Sequence, residues 1–266
     1  MSTADKVFWC SQCVAMSTRP RIGFDSAGIC NACQWASKKQ KLDWKSRFET
    51  LEDILQRQKT KGKPFDCLVP VSGGKDGSYV AYQLKHVFNM NPLCVTVQPP
   101  LASNIGIKNL HNFISAGYDH IMVSPNKTGM QKLNKAGFIE MGFPYYGWLV
   151  SIHTAVIHVA QQHNIDLVFY GEDGEVEYGG TIKTEDTAFY DVNYQKKIYL
   201  ENGYEKVLSS CGLSPTERFF FEYPENSEKS HADIKLTHWS YFENWDPYRN
   251  YIVAKEHCGL TEAEVT

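Results

Sequence analysis

The sequence has no apolar run of about 18 residues, so nothing in it predicts a membrane-spanning helix. Its opening residues, Met1-Ser2-Thr3-Ala4-Asp5-Lys6, lack the apolar core of a secretory leader, and a cytoplasmic location is the expectation. Internal repeats and low-complexity tracts are missing too, which excludes solenoid and linker-like architectures. Two well-known phosphate motifs are absent. A Walker loop needs glycine five residues before its Gly-Lys pair, but position 69 is Val, and Asp76 stands where Ser or Thr should follow the lysine. The dinucleotide fingerprint G-x-G-x-x-G is not met by Gly73, Gly74 and Gly77. Nothing resembles a Cys-Gly nucleophile elbow with His and Glu partners, so no glutaminase activity is expected of this chain.

What is present is ordinary in bulk and uneven in detail. At 266 residues, 42% hydrophobic and 21% charged, the chain has the composition of a globular protein with a sizeable core. Residues 1–65 hold 12 Lys and Arg against 6 Asp and Glu, a net of +6; the other 201 hold 15 against 24, a net of −9. A basic section of this kind binds nucleic acid, draws in an anionic small substrate, or is simply a solvated face.

The stretch that organises the chain is Ser72-Gly73-Gly74-Lys75-Asp76-Gly77-Ser78. A short apolar run, Cys67 to Val71, predicts a buried strand before it. Val80, Leu84, Val87 and Phe88 predict one face of a helix after it. Strand, glycine turn and helix in that order aim free backbone N–H groups and the positive end of a helix dipole at one point, which makes an anion cradle.

Cys10-Ser-Gln-Cys13 and Cys30-Asn-Ala-Cys33 are two C-x2-C knuckles with 16 residues between them, the spacing of a four-thiolate zinc site. The turn-rich segment between them suits a small ribbon hairpin. Cys67, Cys94, Cys211 and Cys258 show no such spacing and read as small buried hydrophobes.

Apolar spacing then predicts a helix over about 42–58, a linker at 60–64, strands at 93–98, 120–124 and 166–170, and helices over about 104–116, 126–137 and 148–162. Strands alternating with helices predict an α/β fold with a parallel sheet. The expected organisation is a zinc ribbon over 1–41, a helix and linker over 42–64, and the catalytic domain over 65–266. Ligands in such sheets lie beyond the carboxyl ends of the strands, which gathers 72–78, Thr96 to Gln98 and the segment from Gly171 around one crevice. Gly171-Glu172-Asp173-Gly174-Glu175-Val176-Glu177-Tyr178-Gly179-Gly180 packs four carboxylates and four glycines into ten residues, hard-oxygen chemistry suited to Mg²⁺ or else a solvated loop. His238 to Arg249 is dense in aromatic rings and suits either a small polar ligand or packing at a domain edge. His153, His158 and His163 are spaced by five and do not share a helical face, which argues against a metal site there.

The Ser72–Ser78 stretch resembles the SGG-x-D-S pyrophosphate loop of the ATP pyrophosphatases, with Gly77 inserted where many relatives place serine directly after the aspartate. Together, in this order, the knuckles, this loop, Glu177-Tyr178-Gly179-Gly180 and the Trp245-Asp246-Pro247 segment resemble the N-acetyl sugar amidotransferase family across essentially the whole chain. That resemblance implies an ATP-pyrophosphatase core behind a zinc ribbon, with ATP, Mg²⁺ and Zn²⁺ as cofactors. Members usually continue past the position of Thr266. It implies that an acetamido sugar, free or nucleotide-linked, is converted to an acetamidino sugar for surface polysaccharide or nonulosonic acid synthesis. Ammonia comes from a separate glutaminase subunit similar to that of histidine biosynthesis; neither nucleic acid nor membrane is an expected partner.

Carried over position by position, the loop residues 72–78 hold pyrophosphate, Lys75 adds a point charge, and Asp76 anchors Mg²⁺. Thr96 and Gln98 lie near adenine, Gly171 and Glu172 on the nucleotide side, and Asp173 is a second magnesium ligand. Glu177 is expected on the sugar side as a catalytic carboxylate, with Tyr178. The alternative is a tRNA thiolase of the same superfamily, some of which combine zinc knuckles with this loop. The +6 section favours it; the acidic core and the lack of a second cysteine pair near the crevice oppose it.

Overall fold

The computed structural model describes residues 7–171, 174–224 and 234–263. Its centre is a five-stranded, fully parallel sheet in the order β3-β2-β1-β4-β5. The strands are β1 (Cys67–Pro70), β2 (Pro92–Val97), β3 (His120–Val123), β4 (Leu167–Tyr170) and β5 (Lys235–His238). β2 and β3 are laid down on one side of β1, and the chain then returns to place β4 and β5 on the other. That reversal makes the gap between the carboxyl ends of β1 and β4 the switch point at which such sheets bind ligands. Leu68 lies opposite both Leu93 and Val168 in the ladder.

Both faces of the sheet are covered, as parallel sheets require. Leu68, Val95 and Val168 face one core, while Cys67, Val69, Cys94 and Phe169 face the other. On the first face lie α5 (Lys127–Met141), α6 (Tyr146–Gln162), α7 (Val192–Tyr194, running into a π turn at Gln195–Tyr199), α8 (Tyr204–Ser210) and α9 (Pro215–Arg218). The second face is packed by α2 (Trp44–Lys59), α3 (Lys75–Tyr82), α4 (Asn104–Ser115) and α10 (Pro247–Cys258). A shorter helix, α1 (Asn31–Lys39), precedes them in the chain. Among the described residues no helix is long and apolar enough to cross a membrane.

Several expectations are corrected. α3 passes into a π turn at Gln83–Val87, and the wider turn rotates the side chains. Val80 and Leu84 are fully buried, but Val87 swings out to 56% exposure. α5 runs on to Met141, where Gly142 in the left-handed conformation stops it. α6 is buried nearly all round, as a helix at the centre of the first core requires, and it begins at Tyr146, ahead of the expected 148. The expected hairpin of the ribbon reduces to two isolated antiparallel bridges, Trp9 to Met16 and Phe24 to Cys30, the second closed by a turn in which Gly28 takes φ +74°. In the cluster after His238, Trp239 and Phe242 are completely buried against Phe169 and Phe88, so these rings are core packing. Cys67, Cys94 and Cys258 are buried as expected; Cys211 is half-buried.

Candidate active site

β1 ends at Pro70 and α3 begins at Lys75, so the Ser72-Gly73-Gly74 turn lies at the switch point. Gly74 is the N-cap of α3, extended (φ −80°, ψ 172°), and it supplies no side-chain cap. The first N–H groups of a helix have no carbonyl partner within it, and here nothing covers them from the cap position. Three glycines shape the cradle. Gly73 has φ +77°, and a Cβ there would fall 2.4 Å from the backbone nitrogen of Leu110 on α4. At Gly77 a Cβ would meet the Pro70 carbonyl at 3.0 Å. A Cβ on Gly171 would lie 2.7 Å from the backbone of Asp76 and Gly77. The residue after β4 and the first turn of α3 therefore touch backbone to backbone, and only glycine permits the contact.

Within the cradle Ser72 is exposed and Gly73 buried. Lys75 and Asp76, in the first turn of α3, are partly exposed and paired with each other, Lys75 Nζ to Asp76 Oδ2. The other Asp76 oxygen, Oδ1, accepts from Asn250 Nδ2 at 3.1 Å. Ser78 faces inward instead: it is 1% exposed, and its Oγ is buried without a hydrogen-bond partner. Thr96 is also buried; its hydroxyl donates to the Val71 carbonyl at 2.7 Å and lies 2.8 Å from His120 Nε2. It buttresses the strand end that carries the loop. Burial lowers the basicity of that His120 ring. Gln98 sits on the surface, accepting from Ser124 Oγ at 2.7 Å.

Glu177 is not free in the crevice. Its Oε1 accepts from Trp35 Nε1 at 2.8 Å and its Oε2 pairs with Lys39 Nζ at 2.8 Å, so the carboxylate binds α1 to the short 3-10 turn Glu175–Tyr178. Asn31 Nδ2 donates to the Gly180 carbonyl at 2.9 Å in the same contact. Gly179 packs so closely on α1 that a Cβ would lie 2.8 Å from Asn31 Oδ1. Tyr178 is half-exposed with the Arg19 guanidinium 5.8 Å from its ring centre. Glu172 and Asp173 lie outside the described residues, as does the side chain of Glu175.

The four cysteines of the knuckles converge. Their sulfurs all lie within 4.8 Å of one another, with Cys10 to Cys33 at 3.9 Å and Cys13 to Cys30 at 3.7 Å. A tetrahedron of thiolates about 2.3 Å from one zinc has edges of about 3.8 Å. The cage thus fits one shared ion; a cluster of several irons would hold its sulfurs farther apart. Burial works against a thiolate at Cys10, but N–H donors from Cys30 at 3.2 Å and Gln12 at 3.4 Å outweigh it and hold the thiol down at about 6. Cys30 is the N-cap of α1 and Cys33 lies in its first turn, so the cage anchors the helix that docks on Glu177.

Sequence reasoning missed Asn250 and the helix that presents it. The signals were there: Asp246 as N-cap, Pro247 in the first turn and Gly259 just past the end bracket a helix.

Comparison with known proteins gives likenesses only. No protein-family profile matches. An uncharacterized protein of Methanocaldococcus jannaschii is 33% identical over 104 residues, 39% of this chain and 37% of that protein. The chain therefore spans just over a third of the curated relative it matches. Among solved structures, the tRNA thiolase NcsA of Methanococcus maripaludis, with its 4Fe-4S cluster, shares 12% identity at a TM-score of 0.41, covering 96% of this chain and 74% of that one. The ammonia-dependent NAD synthetase of Campylobacter jejuni shares 17% at a TM-score of 0.36, covering 69% and 99% respectively. At these scores neither structure supports a transfer of function, and the site stands on its own geometry.

Proposed function

We propose that this chain is an ATP-pyrophosphatase-type enzyme that adenylates an oxygen of its acceptor. The observation that carries the reading is the backbone contact of Gly73, Gly77 and Gly171, which sets an uncapped helix N-terminus, Lys75 and Asp76 at the switch point of a parallel sheet. Amide donors there stabilise the charge that grows on pyrophosphate as it leaves. Lys75 adds a cation. Asp76 would be the hard-oxygen ligand for a magnesium ion, which when bound would supply positive charge to offset that of the leaving group. The acceptor oxygen attacks the α-phosphorus, the bond to the bridging oxygen breaks, and pyrophosphate departs. A nucleophile then displaces AMP.

The finer reading is that the oxygen belongs to a sugar acetamido group and the nucleophile is ammonia from a glutaminase partner, giving an amidine. The order of knuckles, loop, Glu-Tyr-Gly-Gly and Trp-Asp-Pro supports it, as does the burial of Cys67, Cys94 and Cys258, which leaves no paired thiols at the crevice among the described residues. A second reading, thiolation of tRNA, is favoured by the tetracysteine cage and the basic N-terminal section, both joined to the crevice loop through α1. Release of labelled AMP from ATP, with either an acetamido sugar plus ammonium or tRNA plus sulfide, tests both. Asp76→Ala is expected to abolish AMP formation with the acceptor that works; normal turnover by this variant would exclude the reading.

A further inference from the structure

Asp76 carries the metal in the reading above, yet nothing on its own helix orients it for that task. Lys75 touches Oδ2, but a lysine beside a nucleotide has phosphate as its natural partner, and a flexible ammonium does not fix a carboxylate. The firm contact comes from another element. Asn250, on α10, is completely buried and donates Nδ2–H to Asp76 Oδ1 at 3.1 Å. An ionised carboxylate only accepts, so the amide must present its nitrogen here.

The sequence places Asn250 with little freedom. Asp246 caps α10 by accepting from Tyr248 N at 2.9 Å and Arg249 N at 3.2 Å, which fixes where the helix starts. Ala254 and Cys258, one and two turns on, are buried on the same face, and the Cys258 thiol reaches the Ser78 carbonyl at 3.8 Å. These small side chains let α10 lie close along α3. From the solvent side, the Arg249 guanidinium stacks 4.7 Å from the Tyr79 ring centre and bonds Glu243 at 3.0 Å. Glu243 in turn accepts from Tyr79 Oη at 2.8 Å and Trp239 Nε1 at 2.5 Å. Arg249, Glu243 and Tyr79 thus clamp the first turn of α10 to α3.

We propose that Asn250 is the positioning residue for Asp76, a neutral donor that holds Oδ1 so that Oδ2 is aimed at the magnesium of the nucleotide. An amide suits the role because it orients the carboxylate without cancelling its charge. A lysine or arginine in its place would neutralise the ligand, and a carboxylate would repel it. In the nucleotide complex Lys75 would pair with phosphate, which would leave Oδ2 open to the metal. This inference rests on the adenylating function and goes beyond it by assigning a residue of α10 that touches neither phosphate nor acceptor.

The test is binding of Mn²⁺, followed by its electron-spin resonance, to the full chain saturated with a non-hydrolysable α,β-methylene ATP analogue. Asn250→Ala and Asn250→Leu both remove the donor, but the leucine keeps the volume and the packing against α3. Both are expected to weaken metal binding by about tenfold, the low end for removing a group that orients a metal ligand. Affinity for the nucleotide without metal should stay within about twofold. A merely structural asparagine would give a different pattern: thermal stability would fall more for alanine than for leucine, and the metal constant of the folded leucine variant would match wild type. That result overturns the assignment. Asp76→Ala separates the two levels of the argument. If it loses metal while Asn250→Leu does not, only the role of Asn250 fails; if it binds metal normally, the adenylating function fails with it.

Discussion

At the scale of single residues, the cradle is defined by atoms that are missing. Gly73 and Gly74 are adjacent in sequence and differ in what they require. Gly73 takes φ +77° with the α4 backbone 2.4 Å from where a Cβ would sit, while Gly74 has ordinary φ and meets only the Ser72 hydroxyl at 3.3 Å. Gly73→Ala is expected to cost more than about 2 kcal/mol, since the left-handed conformation alone costs about 1–2 kcal/mol and the overlap adds to it. Gly74→Ala should stay within about 1 kcal/mol. Urea denaturation of the two variants measures the difference, and equal losses would contradict this geometry. Another residue sets a pH limit. His153 is buried beside the Tyr199 ring with its Nδ1 unpartnered; burial, and then repulsion from His238, hold its basicity down to about 3. The unfolded chain takes up this proton near the ordinary 6.5 and the folded chain does not, so stability falls as pH drops below 6.5. Between pH 7 and 5 the loss from this one group is about 2 kcal/mol. His153→Phe should flatten that part of the profile in denaturation measured at the two pH values.

At the scale of elements, β1 to β4 and the helices between them were legible because their residues are buried in an α/β rhythm that periodicity reports. β5 was not. Lys235–His238 is four residues long with one large apolar side chain, and its identity as a strand comes from the partner: it pairs with β4 through Leu236 and Val168. α10 escaped because the face it buries is Asn250, Ala254 and Cys258, small and polar residues that give no hydrophobic stripe, although its caps were readable. The part of the site that involves chain-distant pairs was equally hidden: Asn250 on Asp76 spans 174 positions, and Trp35 on Glu177 spans 142. Expected on the sugar side as a catalytic carboxylate, Glu177 docks α1 through Trp35 and Lys39, and this carries a consequence. Glu177→Ala leaves the buried Trp35 N–H without an acceptor and Lys39 without its anion, which is expected to cost about 1–3 kcal/mol. Trypsin should then cut sooner at Lys38 and Lys39. Zinc content should remain close to one per chain, because the cage is closed by residues 10–33 alone. Cys10→Ser with Cys30→Ser should lose the metal; retention would refute the site.

At the scale of the whole molecule, α1 links the cysteine cage to the segment after β4: Cys30 caps the helix, Asn31 holds the Gly180 carbonyl, and Gly171 at the start of that segment meets the backbone of Asp76. Beside it, two lysines of α1 pair with carboxylates of the later chain, Lys38 with Glu185 and Lys39 with Glu177. The function proposed above admits two acceptors, a sugar nucleotide and a tRNA. Isotope transfer from the acceptor decides the chemistry independently of which acceptor it is. If the acetamido oxygen is the attacking atom, ¹⁸O placed in that group must appear in AMP when ammonia takes its place on carbon. The oxygen leaves with the α-phosphorus, so none of the label can reach pyrophosphate. The product amidine is lighter than the amide by the exchange of O for NH, and it carries a proton at neutral pH where the amide is uncharged. The chain alone should use ammonium salts at raised pH, where free ammonia is available, and should not use glutamine until a glutaminase is added. Mass spectrometry of AMP, pyrophosphate and sugar in a single reaction reads all three. Label in pyrophosphate, or amidine formed with unlabelled AMP, would refute adenylation of the acetamido oxygen; labelled AMP from ¹⁸O-labelled tRNA bases with sulfide would assign the chain to thiolation instead.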